Sequence, residues 1–215
     1  MFNGASFSKD ALIEHLILQG HLRTPKIIQA FRKIDRRDFV IDYLKDDAYL
    51  NLPLGIGFGQ TISQPLTVAF MFELLQPESG QKILDIGSGS GWTTALLAEI
   101  VGEKGKVYGV ELIKELCDFG SANANRYGFV NKRTVEFICS DASNGLVAKS
   151  PFDRILSSAS GKKIPIVWKE QLAIGGRMVL PVENSLWLVV RKSISQFETT
   201  EYPGYIFVPL VSKNY

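Results

Sequence analysis

Asp85, Glu111 and Asp141 are acidic residues spaced as the ends of successive strands, and glycines at 87, 89 and 91 follow the first of them. The run KILDIGSGSG (Lys82–Gly91) sets apolar Ile83, Leu84 and Ile86 around Asp85. A short apolar run closing on glycines predicts a buried strand turning sharply into a helix. Glycine there allows positive φ and lets a ligand touch the backbone. The following helix, Trp92 to about Val101, presents free N–H groups at the turn. This is not the dinucleotide fingerprint GxGxxG, because Trp92 takes the place of its last glycine. The turn also lacks a basic residue to meet a diphosphate. A carboxylate ahead of the glycines suits an ammonium group instead. Glu111, 20 residues beyond Gly91, can accept from two ribose hydroxyls. Asp141 can accept from a purine amino group. Taken singly, Glu111 and Asp141 read as ordinary solvated carboxylates. Together the features describe a cationic nucleoside without phosphate, which is S-adenosylmethionine.

The elements that must position these groups alternate. Strands are expected at Lys82–Ile86, Lys106–Val110, Thr134–Cys139, Asp153–Ser157 and Arg177–Val182, with helices at 92–101, 113–127 and 166–172. Ser158 then also falls at a strand end. Repeated βα units imply a doubly wound, mostly parallel sheet in an α/β fold, with ligands at the carboxyl ends of the strands. Leu186–Arg191 and Tyr205–Leu210 are expected to close it as an antiparallel pair. Before the sheet, Ser8–Gly20 and the segment opened by Thr24-Pro25 keep helical spacing. Asn51–Pro65 (NLPLGIGFGQTISQP) is a glycine-rich loop leading into an apolar helix at 66–75. One domain is expected over 1–215, with N-terminal helices and an active-site loop over 1–75 and the cofactor-binding sheet core over 76–215.

Composition removes other classes. The net charge is +2 over 215 residues, so nothing points to nucleic acid. No apolar run reaches the roughly 18 residues of a membrane span. The N-terminus MFNGASFSKD lacks a signal-peptide layout. Cys117 and Cys139 show no metal spacing, so no metal is expected and both read as reduced thiols in a cytoplasmic protein. His15 and His21, the two histidines, lie far in sequence from the turn and read as surface or packing residues.

The chain resembles the protein-L-isoaspartate O-methyltransferases, in the Rossmann-like class of S-adenosylmethionine-dependent enzymes. The segments that carry the resemblance are IDRRDFV (Ile34–Val40), AYLNLPLGIGFGQTISQP (Ala48–Pro65), ILDIGSGSGWTTA (Ile83–Ala95), VYGVE (Val107–Glu111), PFDRIL (Pro151–Leu156), QLAIGGRMVLPV (Gln171–Val182) and FVPL (Phe207–Leu210). GQTISQP is the most specific of them. The resemblance implies methyl transfer from S-adenosylmethionine to the free α-carboxylate of isoaspartyl residues in damaged protein, with S-adenosyl-L-homocysteine as product. It implies Ser63, with Thr61, as the active-site residues. It implies cofactor contacts by Gln60, Thr61, Ile62 and Ser63. Asp85, Gly87 and Ser88, with Gly89, Ser90 and Gly91, fall to the methionine arm. Glu111 and Leu112 fall to the ribose, and Asp141 and Ala142 to the adenine. The implied partner is a peptide or protein carrying isoaspartate, with no nucleic acid or membrane, and the chain itself a monomer or weak dimer. Departures from the family pattern stand at Asn51, Leu66, Ser140-Asp141-Ala142 and Ser158–Lys163. A methyltransferase of the same fold with another acceptor and a non-catalytic cofactor-binding module are the rival readings.

Overall fold

A computed structural model describes residues 8–211. Residues 1–7, which hold most of the stretch read for a signal peptide, and 212–215 lie outside the described residues. Ser8 caps α1 (Lys9–Leu18) by accepting from Ala11 N–H at 3.2 Å. Pro25 opens α2 (Pro25–Lys33). Its cap comes from a distance: Glu73 accepts from the Arg23 and Thr24 N–H groups, each at 2.8 Å, and from Thr24 Oγ1 at 2.7 Å. A carboxylate at a helix N-terminus also meets the positive end of the helix dipole.

The expected glycine-rich loop is partly a hairpin, β1 (Leu54–Gly57) against β2 (Gln60–Ile62). Phe58 and Gly59 at its tip both have positive φ, +54° and +70°, the conformation that suits a tight two-residue turn. Leu54, Ile56 and Ile62 point into the core. The helix α3 (Pro65–Leu75) follows and is buried almost all round.

The remaining strands are β3 (Lys82–Ile86), β4 (Lys106–Glu111), β5 (Val135–Cys139), β6 (Phe152–Ser157), β7 (Leu172–Val182), β8 (Ser185–Arg191) and β9 (Phe197–Pro203). The helices between them are α4 (Trp92–Val101), α5 (Lys114–Asn125) and α6 (Ile166–Glu170). The sheet order is β5-β4-β3-β6-β7-β8-β9, parallel through β7 and antiparallel beyond. The fold class is as expected. The direction of winding switches between β3 and β6, so their carboxyl ends flank the crevice. Alternate strand residues face opposite ways. Ile83, Val107, Leu156 and Val179 join one buried cluster with α1 to α4, while Leu84, Val110, Ile155 and Met178 join another with Trp168 of α6.

Two expectations are corrected. β8 pairs antiparallel with β7 and β9, and not with Tyr205–Leu210. Gly204, at φ +95°, turns the chain off the sheet, and Gly204 and Tyr205 N–H both donate to Asn184 O. Tyr205–Leu210 then crosses towards the carboxyl ends, where Leu210 N–H donates to Ser160 O and Ser160 N–H to Val208 O, each at 2.8 Å. Pro209 lacks an N–H for a longer ladder. The second correction is the start of β7. Gly175-Gly176 lie inside the strand, at a shift of register between Phe152 and Arg154 of β6, rather than before it. Cys117 and Cys139 are both free, one buried and one exposed.

The glycine turn packs against α5 more tightly than any side chain allows. A Cβ on Gly120 would lie 2.8 Å from Gly89 O and 3.1 Å from Gly91 N. Replacing glycine by alanine inside a helix ordinarily gains up to about 1 kcal/mol. Here the sign reverses: Gly120→Ala is expected to destabilise by about 1–3 kcal/mol through overpacking, read as a lower urea midpoint at unchanged slope. A midpoint at or above that of the wild type would show that α5 and the turn separate freely.

Candidate active site

The glycines of the turn from Gly87 to Gly91 set its backbone path. Gly87, Gly89 and Gly91 have φ of +70°, +51° and +85°. Gly87 N–H donates to Val110 O at 2.9 Å, which ties the turn to the end of β4. Glu111 holds the other side. Its Oε2 accepts from Gly89 N–H at 2.9 Å and its Oε1 from Ile113 N–H at 3.0 Å.

Asp85 sits beneath the turn and is fully buried. Its Oδ2 accepts from Thr94 Oγ1 at 2.6 Å and Thr93 Oγ1 at 2.8 Å, while Oδ1 finds no partner. Burial pushes this carboxyl up to about 6; the Thr94 and Thr93 hydroxyls draw it down and Glu111 adds to the rise.

Three adjoining cavities open at the strand ends. The first, about 60 Å³, is walled by Gln60, Gly89, Glu111, Leu112 and Ala142 among others. The second, about 20 Å³, lies over the turn between Ile62, Ser63, Ser88, Ser90 and Trp92. The third, about 260 Å³, is bounded by Pro53, Ser63, Gln64, Thr67 and the segment Ile206–Val208. Thr61 and Ser158 line all three, Gly87 lines the first two, and Ser63 lines the second and third.

Most of the residues singled out from sequence therefore meet in one place. Three stand apart from the cavity walls. Asp85 acts from below through its threonines. Gly91 is a packing glycine, since a Cβ there would lie 2.6 Å from Gly120 O. Asp141 turns its Oδ1 to Ser143 N–H at 2.8 Å, and its neighbours Ser140 and Ala142 form the wall. The departure at Leu66 also lies outside these walls; Leu66 N–H is held by Asn51 Oδ1 at 2.9 Å and the side chain packs on the core. Neither histidine lines any of these three cavities.

Sequence reasoning missed Arg36, which is 3% exposed. Its Nη1 donates to Ala48 O at 2.7 Å and its Nη2 to Leu52 O at 2.9 Å and Ser63 O at 3.3 Å. Burial lowers its pKa to about 9. Nor does the strand-like pattern of FVPL show that Val208–Leu210 form a wall of the first cavity. Four of the five buried side-chain polar atoms without a partner among the described residues are Asp85 Oδ1, Ser88 Oγ, Trp92 Nε1 and Ser158 Oγ. Such atoms are rare in folded proteins. Their gathering around one turn fits a polar ligand with donors and acceptors of its own, as a nucleoside amino acid has.

A family model for protein-L-isoaspartate(D-aspartate) O-methyltransferase matches residues 7–215. The chain belongs to this family. A protein-L-isoaspartate O-methyltransferase of Methanopyrus kandleri is 39% identical over 210 residues, covering 96% of this chain and 92% of its own. One from Methanothrix thermoacetophila is 40% identical over 206 residues, covering 95% of each chain. Among solved structures, one described as a protein-L-isoaspartate O-methyltransferase superposes with a TM-score of 0.84 at 27% identity, covering 94% of this chain and 65% of that one. A Plasmodium falciparum protein solved with S-adenosyl-L-homocysteine has the same fold, with a TM-score of 0.84 at 23% identity over 94% of this chain and 98% of that one. Among the described residues no helix is long and apolar enough to cross a membrane.

The buried Asp85 makes a pH signature for this isoaspartyl methyltransferase family member. Its carboxyl titrates near 3.8 when unfolded and near 6 when folded. The folded state thus holds the proton longer, and the contribution of Asp85 is fully present below pH about 4 and lost as pH rises through about 6. The difference between those values, 3.8 and about 6, corresponds to roughly 3 kcal/mol. Unfolding free energies of the wild type relative to Asp85→Asn are expected to fall by that amount across this window. Parallel pH profiles for the two proteins would refute it.

Proposed function

We propose that this chain methylates the free α-carboxylate of L-isoaspartyl residues in damaged proteins, with Ser63 and Thr61 aligning the acceptor. The observation that carries the assignment of these two residues is a shared wall: Thr61 and Ser63 line both the space over the glycine turn and the larger cavity. When bound, S-adenosylmethionine supplies an electrophilic methyl group on a sulfonium and leaves as S-adenosyl-L-homocysteine. Gly87–Ser90 would hold its amino-acid arm, Glu111 and Leu112 its ribose, and Ala142 with the Asp141 segment its adenine. Gln60 and Ile62 would close the hairpin side.

The acceptor needs no general base. A carboxylate has a reference pKa of roughly 4 and is already an anion at neutral pH. What remains is to orient it and exclude water. The hydroxyls of Ser63 and Thr61 can each donate to one carboxylate oxygen and leave the other free to attack. Arg36 fixes the backbone carbonyl of Ser63, so the alignment is built into the hairpin. Ile206–Val208 cover the cavity from the opposite side and can lie along a peptide. Lys162 and Lys163 are exposed at the surface beyond Ser158. This reading keeps the protein cytoplasmic, working on damaged proteins without a membrane or nucleic acid, as a single catalytic domain that is monomeric or weakly dimeric. The near-balanced charge of +2 supports it.

An isoaspartyl peptide incubated with the protein and labelled S-adenosylmethionine is expected to gain a base-labile methyl ester, and the aspartyl peptide none. Ser63→Ala is expected to lower kcat by about 100-fold through misalignment while cofactor affinity stays within about 3-fold. A base-stable methyl product, or undiminished turnover by Ser63→Ala, would defeat the assignment.

A further inference from the structure

Trp92 and Ser88 are each 4% exposed, yet Trp92 Nε1 and Ser88 Oγ have no hydrogen-bond partner, and neither has Ser158 Oγ. These three residues, from the start of α4, the turn and the residue after β6, line the same 20 Å³ cavity. A space of that size takes one water-sized polar group. The indole N–H can only donate, so the missing partner of Trp92 is an acceptor. The serine hydroxyls can donate to the same acceptor. Charge points the same way, because the buried guanidinium of Arg36 stacks on the Trp92 ring at 5.4 Å. Asp85, fully buried below the turn, is the opposing charge. The amino-acid arm of S-adenosylmethionine carries a matching pair. Its ammonium can only donate and suits Asp85, and its carboxylate is the one strong acceptor it offers.

We propose that Trp92 Nε1–H and Ser158 Oγ–H, together with Ser88 Oγ–H, bind the carboxylate of the cofactor's amino-acid arm. Trp92 and Ser158 are thereby residues that discriminate the intact cofactor from nucleosides lacking that group. The assignment rests on the cofactor reading given above.

The test is calorimetric titration with S-adenosyl-L-homocysteine and with its decarboxylated analogue, which keeps the nucleoside and the ammonium. Three proteins are compared: wild type, Trp92→Phe, which keeps a ring beneath Arg36, and Ser158→Ala. The wild type is expected to prefer the carboxylated ligand by about 100-fold, and each substitution to cut that preference by about 10-fold, in line with bonds to a charged acceptor. The loss should fall on S-adenosyl-L-homocysteine and leave the analogue within about 2-fold. Thermal unfolding without ligand reports whether each variant folds; if Trp92→Phe does not, Ser158→Ala decides. A preference unchanged in the folded variants, or both ligands weakened equally, would mean that these groups meet water or serve packing alone, and would overturn the proposal. If the wild type binds neither ligand, the cofactor reading itself falls and the proposal with it.

Discussion

The buried guanidinium of Arg36 is the interaction on which the active side of this molecule depends. Taking a cation out of water is costly unless the surroundings replace its hydration, and burial alone brings the pKa of Arg36 down to about 9. Backbone carbonyls supply the replacement. Ala48, Leu50, Leu52 and Ser63 all turn their oxygens to it. Those residues come from the end of a 3₁₀ turn over Asp42–Asp47, the loop before β1 and the entry to α3. None of these segments has a long helix or strand to define it. One planar cation with five donors therefore takes the place of secondary structure, and it does so next to Ser63. Removing it would leave four carbonyls to find other partners, so the loop and the cation are stable only together.

The strand-end carboxylates follow a different logic. Glu111 accepts two backbone N–H bonds and stays at the wall of the first cavity. Asp85 is buried, accepts only from hydroxyls and carries a raised pKa. The same carboxylate group, placed near the ends of two neighbouring strands, is held by two backbone N–H bonds in one case and left short of partners in the other. A short-handed carboxylate under a glycine turn favours an incoming cation, because the cation restores what desolvation removed.

Much of this was legible in the sequence because it rests on local chemistry. The apolar runs that hold Asp85 and lead up to Glu111 mark strand ends, and the glycine spacing marks the turn, since positive φ at 87, 89 and 91 excludes most other residues. What stayed hidden depends on distant pairs. Arg36 reads as one more charge in a charge-rich segment until the fold brings carbonyls around it. Glu73 looks like a solvated helix residue, yet it caps α2 from about 50 positions away. FVPL has strand-like residues, but the turn at Gly204 and the missing N–H of Pro209 send it across the site instead. Phe197–Pro203 is the reverse case. It is mostly exposed and polar, so its apolar pattern is weak, and only its pairing with β8 makes it a strand.

In the proposed reading the larger cavity takes the acceptor, and its walls then bear on selectivity. They combine hydroxyls, an amide and apolar groups, namely Thr61, Ser63, Gln64, Thr67, Ser158, Pro53 and Ile206–Val208, with no lysine or arginine among them. A site built only to bind a carboxylate tightly would use a guanidinium fork. That fork would occupy both oxygens and withdraw the charge needed for attack. Neutral donors bind more weakly and leave the nucleophile reactive. The anion and the cationic methyl donor cancel each other's charge along the reaction path, so a site that does not hold the carboxylate charge strongly favours the transfer. In the proposed reading, an acceptor met by neutral donors suits an enzyme whose substrate is a rare residue in many protein contexts. Recognition then falls on the position of one carboxylate relative to the backbone rather than on the side chains around it.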